Sequence, residues 1–404
     1  MTLPAFDDGA PARAVVDLDA IRDNVRALRG HAPSSALMAV VKADGYGHGM
    51  LPAARAALAG GATWLGVATA GEALALRAGL GRGDVPVLVW LLTPGAPFAE
   101  LVAADVDVTV AAPWAVEEVA AGARAAGRVA RVHLKVDTGL SRNGVAHGDL
   151  PDVVRRLAAL HAEGVLQVVG LFSHLACADE PGHPSIDRQA AAFAEATEVL
   201  GAAGLHPQVR HLANSAATLT RPDLHLDLVR PGISVYGFSP GPLLGAPGRY
   251  GLRPAMTFQA RLGAVKQVAA GQGVSYGHLY TTTQDTVVGL VPVGYGDGVP
   301  RHASGGSAGP GGPVAVGTGE RARVLRVAGR VCMDQLVLDL GPGARESAGD
   351  VVTLFGPSDG VAHGSAVPNA QDWADAAGTI SYEIVTRLGA RVPRVHLSRE
   401  GDLS

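Results

Sequence analysis

The chain has 404 residues, 48% of them hydrophobic, enough to bury a sizeable core and to make about two domains of ordinary size. Its formal net charge of -4 is close to neutral for that length, and no dense basic run or aromatic-interleaved basic patch occurs, so nucleic acid is not an expected partner. The opening "MTLPAFDDGAPARAVVDLD" has no apolar h-region behind a basic start, and no apolar run is long enough to span a bilayer; a cytoplasmic protein with small-molecule partners and no membrane association is expected. Cys177 and Cys332 lie far apart without CxxC or Cys/His spacing, which predicts reduced thiols and no metal.

The first apolar run, "RAVVDLD" at about 12–18, precedes a longer series and is expected to pair with another domain. Eight short apolar runs then follow between about 37 and 230: "ALMAVVK", "TWLGVA", "VPVLVWL", "DVTVA", "VARVHLKV", "LQVVGLF", "QVRHL" and "LDLVR". Alanine-rich stretches of helical period separate them, among them "LPAARAALAG", "AGEALALRAG", "PWAVEEVAAGARAAG", "LPDVVRRLAALHAEG" and "DRQAAAFAEATEVLGAAG". Continuous apolar strands alternating with crossover helices predict a (β/α)8 TIM-like barrel over 1–252, with a doubly wound open sheet as the competing fold. The polar residues favour the barrel, because they collect at one end of the runs. Lys42 follows the first run, Lys135, Asp137 and Arg142 the fifth, His174 the sixth, Asn214 and Ser215 the seventh, and Arg230 with Gly232 the eighth.

From 253 to 404 the texture changes to short alternating runs with Gly/Pro turns, "AMTFQARLGAVKQV", "TVVGLVPVGY", "RARVLRVAG", "QLVLDLG" and "DVVTLFG", which predict a mostly-β C-terminal domain. Within it "RHASGGSAGPGGPVAVGTGE" is rich in Gly, Ser and Pro and is expected to be a mobile excursion.

Lysine usage points to chemistry. Of the 33 basic residues only Lys42, Lys135 and Lys266 are lysines. A guanidinium that never deprotonates cannot form an imine, act as a base or carry a carbamate, so a lysine kept among arginines is a candidate for one of those tasks. Lys42 stands in "AVVKADGYGHG", at the mouth of a glycine-rich loop, where a lysine that binds an aldehyde cofactor has to stand. Phosphate sites in such barrels come from the loops after strands seven and eight, here Ser215 and the Gly232-Ile233 turn, although "RPGISVYG" also reads as a plain turn. Arg230 would face the ring of such a cofactor; it can only donate to a pyridine nitrogen, which leaves a weaker electron sink suited to brief deprotonation at an α-carbon. Tyr276 in "GVSYGHLY" and Tyr382 in "ISYEI", two of only seven tyrosines, lie outside the alternating runs; a phenol becomes a useful base only where nearby cations lower its pKa, and His174 is a candidate neighbour.

Nine segments in order, "AVVKADGYGHG", "HLKVDTGLSRNG", "LFSHLACAD", "LANSAA", "VRPGISVYG", "VSYGH", "PVGYGDGVPR", "GRVCMDQ" and "SYEIVTRL", resemble the bacterial alanine racemases, fold type III enzymes that use pyridoxal 5'-phosphate, and the resemblance runs nearly end to end. It implies interconversion of L-alanine and D-alanine, supply of D-alanine for peptidoglycan, and a homodimer with shared active sites. It implies that Lys42 holds the cofactor and is the base on one face of the substrate α-carbon, with Tyr276 of the other subunit as base on the opposite face. Tyr46, Ser215, Gly232, Ile233 and Tyr382 correspond to residues around the cofactor phosphate, with Asn214 beside them; Arg230 corresponds to the partner of the pyridine nitrogen, and His174 to the histidine near the ring. Arg142 and the backbone of Met333 correspond to the groups that bind the substrate carboxylate, Lys135 to a lysine that is often carbamylated (N6-carboxylysine). Asp179, Tyr295, Arg301, Arg330, Asp334 and Ile380 correspond to a substrate channel. Leu140 stands where methionine is common, and the glycine-rich stretch after Arg301 departs from the family pattern near that channel. A broad-specificity, serine or lysine racemase would share every catalytic residue; a noncatalytic carrier of the cofactor and a decarboxylase of the same fold type are further alternatives, disfavoured by the second domain and by Arg230 respectively.

Overall fold

Each of the eight apolar runs becomes a parallel strand in the computed structural model, which describes every residue except 1, 2, 4, 7, 8, 82, 308, 318–321 and 400–404. The strands are Ala36–Val40, Trp64–Val67, Val87–Val89, Val106–Val110, Ala130–Lys135, Leu166–Phe172, Val209–His211 and Leu228–Val229. They pair in chain order, and the last returns to the first through Ala36 with Leu228 and Leu37 with Val229. The seventh and eighth are joined by two backbone hydrogen bonds, Asp227 N to Arg210 O at 3.2 Å and Arg230 N to Ala213 O at 2.9 Å, which complete the ring. A sheet covered on both faces favours near-continuous Val, Leu and Ile, and this is why the runs show no alternation. Met38, Trp64, Leu88 and Leu228 pack as one buried cluster from the first, second, third and eighth strands.

The outer helices follow their local signals. Pro113–Ala126 starts on proline, whose missing N–H costs nothing in the first turn. It stops at Gly127, where a left-handed φ of 63° lets the N–H close back on Ala123 O and Arg124 O. Its buried Ala115, Val116, Val119, Ala120 and Ala123 fall at helical spacing on one face. The barrel unit comprises residues 21–45 and 50–252.

The second unit comprises residues 1–20, 46–49 and 253–404. Its six-stranded sheet runs in the order Arg323–Arg326, Pro313–Val316, Val351–Phe355, Met256–Arg261, Ala12–Asp17 and Arg394–Leu397, so the first strand of the chain pairs here. A three-stranded sheet of Ala264–Val268, Thr286–Val291 and Leu336–Gly341 accompanies it. The glycine-rich stretch expected to be a mobile excursion is in part a core element: Pro313–Val316 is a fully buried strand paired on both sides. Gly312 is a packing residue as well, since a Cβ on it would lie 2.5 Å from the ring of buried Trp373. Composition misled because Gly and Pro flank a run of only four apolar residues. Residues 308 and 318–320 of that stretch lie outside the described residues. Among the described residues no helix is long and apolar enough to cross a membrane.

Candidate active site

Lys42 sits two residues past the first barrel strand, at the start of a left-handed turn. Ala43, Asp44 and Gly45 have φ/ψ of 52°/51°, 53°/49° and 61°/43°, a conformation costing L-residues roughly 1–2 kcal/mol each. The turn is held from several sides. Gly45 N donates to Val41 O at 2.9 Å, Met50 N to the Asp44 carboxylate at 2.8 Å, and Ala43 N to Glu72 Oε1 at 2.7 Å. Glu72 also closes the capping box of the helix Ala70–Leu80, accepting from Ala68 N and Thr69 N. Local strain held this firmly fixes one reactive side chain at the barrel mouth.

The loop after the fifth strand carries Arg142. Asp137 accepts from Gly139 N at 2.9 Å and Ser141 N at 3.1 Å, folding residues 137–141 tightly and leaving Arg142 exposed. Buried Gln189 ties this loop to the next: its amide nitrogen donates to Thr138 Oγ1 and His174 O, and its oxygen accepts from Ala176 N at 2.8 Å.

Lys42, Lys135, Arg142, His174 and Arg230 lie close enough to feel one another's charge. Burial, then the Arg142 charge, lower the Lys42 pKa against a small opposing effect of Glu72. Burial, followed by Arg230 and Arg142, pushes Lys135 down to about 8. His174 is pushed to about 3 by burial and then by the Arg230, Arg142, Lys135 and Lys42 charges. It is therefore neutral at pH 7. Burial and the four cations at this end of the barrel together make imidazolium costly there.

Around the seventh and eighth strands, Asn214 caps the helix Ser215–Thr220 by accepting from Ala217 N. Ser215 Oγ accepts from Gly232 N at 2.8 Å and Ser234 N at 3.5 Å, which leaves its O–H free to donate elsewhere. Ile233 is buried at the start of the following turn. Arg230, also buried, donates from Nη2 to Ser173 O at 2.7 Å and lies over the Phe172 ring. Asp179 is exposed in the loop after the sixth strand, against Gly241.

In the second unit hydrogen bonds join several of the named residues. Arg330 Nε donates to Tyr276 O at 3.1 Å, Ser275 Oγ to Arg330 O at 2.7 Å, and Val331 N to Ser304 Oγ, which itself bonds Arg301 O. Tyr295 N and Gly296 N donate to Cys332 O and Met333 O, and Asp334 pairs with Arg391 at 2.8 Å. Tyr276 is 73% exposed on a turn where Ser275 and His278 both have positive φ. Met333, Ile380 and Tyr295 are exposed as well. Tyr46 and Tyr382 form a separate aromatic pair, ring centroids 6.3 Å apart, and burial raises the Tyr46 phenol above its ordinary value.

The profile of the alanine racemase N-terminal domain matches residues 16–240, and that of the C-terminal domain residues 255–396. The chain belongs to the alanine racemase family. The alanine racemase of Streptomyces coelicolor is 58% identical over 391 residues, 96% of each chain, and that of Frankia casuarinae 57% identical over 381 residues, 94% of this chain and 95% of the relative. The solved alanine racemase of D-cycloserine-producing Streptomyces lavendulae superposes with a TM-score of 0.92 at 52% identity, covering 98% of this chain and 100% of that one.

Alanine racemases depend on pyridoxal 5'-phosphate, and the barrel mouth suits that group. Lys42, Lys135, Arg142 and Arg230 face few carboxylates there, so an anion is wanted, and Ser215 offers a hydroxyl donor preset by two amides. Lys42 supplies an amine of lowered pKa, and Arg230 retains Nε–H after its two terminal nitrogens are engaged. Glu72 and Gln189, which hold the barrel mouth together, do not stand out in the sequence. Glu72 was legible in retrospect as the closing Glu of a Thr-x-x-Glu capping box that begins at Thr69. Gln189 lies in an alanine-rich helix, and nothing local distinguishes it.

Proposed function

We propose that this chain interconverts L- and D-alanine by a two-base mechanism and supplies D-alanine for peptidoglycan. The observation that carries the reading is Lys42, of lowered pKa, fixed on a strained turn among cations at the carboxyl end of a (β/α)8 barrel. Lys42, Ser215, Gly232, Ile233, Asn214, Tyr46, Tyr382, His174 and Arg230 would hold pyridoxal 5'-phosphate. When bound, that cofactor acidifies the substrate Cα–H by conjugation.

Lys42 then takes or returns the proton at one face of Cα. Its lowered pKa increases the neutral amine present near pH 7, the form a base needs. Tyr276 does the same at the opposite face, and inversion follows because removal and delivery occur on opposite sides. Arg142 and the Met333 backbone bind the substrate carboxylate, and Asp179, Tyr295, Arg301, Arg330, Asp334 and Ile380 line the approach. Arg230, which can only donate, would meet the ring nitrogen without protonating it, and the ring would then be a weaker electron sink.

Tyr276 serves a second copy of this chain in a homodimer. Of the eight exposed large hydrophobics among the described residues, four are Tyr276, Tyr295, Met333 and Ile380 of the second unit, apolar groups that a partner subunit would cover. We place the division between domains near residue 252.

Lys135 carries a carbamate. Its amine attacks carbon dioxide, a C–N bond forms, a proton leaves to solvent, and the new anion sits beside Arg142 and Arg230. Only the neutral amine reacts, so the modified fraction rises as pH climbs through about 8. Mass spectrometry of unacidified protein in bicarbonate should find one carbon dioxide on Lys135, lost on acidification; its absence in bicarbonate at roughly pH 9 would refute the modification.

The function itself is tested by optical rotation. Solutions of L- and D-alanine given the yellow holoenzyme should decay to the same racemate, with serine and lysine much slower. A yellow protein that leaves alanine untouched while racemising a larger amino acid would overturn the substrate.

A further inference from the structure

Below the barrel mouth an unbroken row of hydrogen bonds crosses the interior. Arg131 grips Asp107 with Nε to Oδ1 at 2.7 Å and Nη2 to Oδ2 at 3.2 Å. Asp107 Oδ2 lies 3.3 Å from His133 Nε2, His133 Nδ1 lies 2.9 Å from His211 Nε2, and His211 Nδ1 lies 3.1 Å from Arg230 Nη1. Asp107, His133 and His211 are 1%, 0% and 0% exposed. They come from the fourth, fifth and seventh strands, so the row runs across the sheet to Arg230 at the end of the eighth.

The barrel is built around this row. A Cβ on Gly170 would stand 2.0 Å from His133 Nδ1, so only glycine leaves room for that imidazole. The ladder between the fifth and sixth strands shifts register at Val132/His133, where the ring enters. Phe172 stacks on His211 at 4.8 Å with planes 4° apart.

The two ends dictate every proton between them. A guanidinium has donors only, so His211 Nδ1 must accept and its proton resides on Nε2. That N–H donates to His133 Nδ1, which places the His133 proton on Nε2, aimed at the Asp107 carboxylate. Any other arrangement sets two donors or two lone pairs face to face inside a buried site. Burial, followed by the Arg230 charge, drives His211 far below its ordinary pKa and keeps it neutral. Burial works to raise the Asp107 carboxyl, but the hydrogen bonds from His133 and Arg131 prevail and keep it ionised.

We propose that Asp107 and His133 are positioning residues that act through His211 on Arg230, fixing the tautomer that holds the guanidinium with its Nε–H left for the cofactor ring nitrogen. Nη1 is held by His211, and Nη2 by Ser173 O and, at 3.4 Å, Leu212 O. The inference rests on the proposed role of Arg230 toward the ring.

The test is nitrogen NMR of holoenzyme labelled with 15N-imidazole histidine, with His133→Gln and His211→Gln used for assignment. Both histidines should be neutral and protonated on Nε2. Asp107→Asn keeps size and one acceptor oxygen but removes the charge. It should shift the His211 nitrogens, move the absorbance band of the bound cofactor, and lower kcat roughly tenfold with little change in KM for alanine. An Nδ1–H tautomer at either histidine, a cationic His211, or an Asp107→Asn protein with unmoved His211 nitrogens and cofactor band would overturn the proposal. If Asp107→Asn does not fold, the wild-type tautomers decide alone. They do so even if alanine proves not to be the substrate, so the two readings fail separately.

Discussion

Lys42→Ala should reduce alanine racemisation by at least ~10⁴-fold, a loss of more than about 5 kcal/mol of transition-state stabilisation. The effect would be large because the proposed mechanism gives one amine two duties, holding the cofactor and moving a proton at Cα. Lys42→Arg should be as inactive, since a guanidinium keeps the charge but can do neither. The turn itself should survive both changes, because Glu72, Asp44 and Val41 hold it through backbone hydrogen bonds that do not involve the lysine side chain. The check is borohydride reduction of the holoenzyme followed by peptide mass mapping. The cofactor should be found on Lys42 and be absent from both variants. Its attachment to Lys135, the other buried lysine of the mouth, would reassign the site.

Tyr276→Phe should lower racemisation by roughly 10²–10⁴-fold in both directions, the range for loss of one positioned acid/base group. The ring is exposed, so stability should change by no more than ~0.5 kcal/mol, and the cofactor should remain bound. The informative readout is α-hydrogen exchange in deuterated water. With Lys42 intact, one enantiomer should still exchange its α-hydrogen and return to its own configuration, while the other exchanges far more slowly. Equal residual exchange from both enantiomers would rule out separate bases on the two faces.

Much of this site could be read before any fold was known. The eight strands were legible because a sheet buried on both faces leaves unbroken apolar runs, and the strand-end position of Lys42, Lys135, Arg142, His174, Ser215 and Arg230 followed from the same runs. The scarcity of lysine marked Lys42 and Lys135 out. Asp107, His133 and His211 stayed hidden because each is a lone polar letter inside an apolar strand, and only the closed barrel brings three strands' interior positions together. Gln189 and Gly170 escaped for related reasons: their importance lies in what is opposite them, which sequence spacing does not encode. The strand Pro313–Val316 was concealed by its glycine-rich flanks. The neutrality of His174 depends on burial and then on four cations from three strand ends, and no single motif contains them all.

The most direct test of two bases meeting on one α-carbon is subunit mixing. Lys42→Ala and Tyr276→Phe proteins, each nearly inactive, are unfolded together, refolded with pyridoxal 5'-phosphate and assayed for alanine racemisation. If each site joins Lys42 of one copy to Tyr276 of its partner, half the dimers are mixed and each contains one intact site, so activity should return to roughly a quarter of wild type. A mixture no more active than its two components, with mixed dimers demonstrably formed, would contradict the shared two-base site.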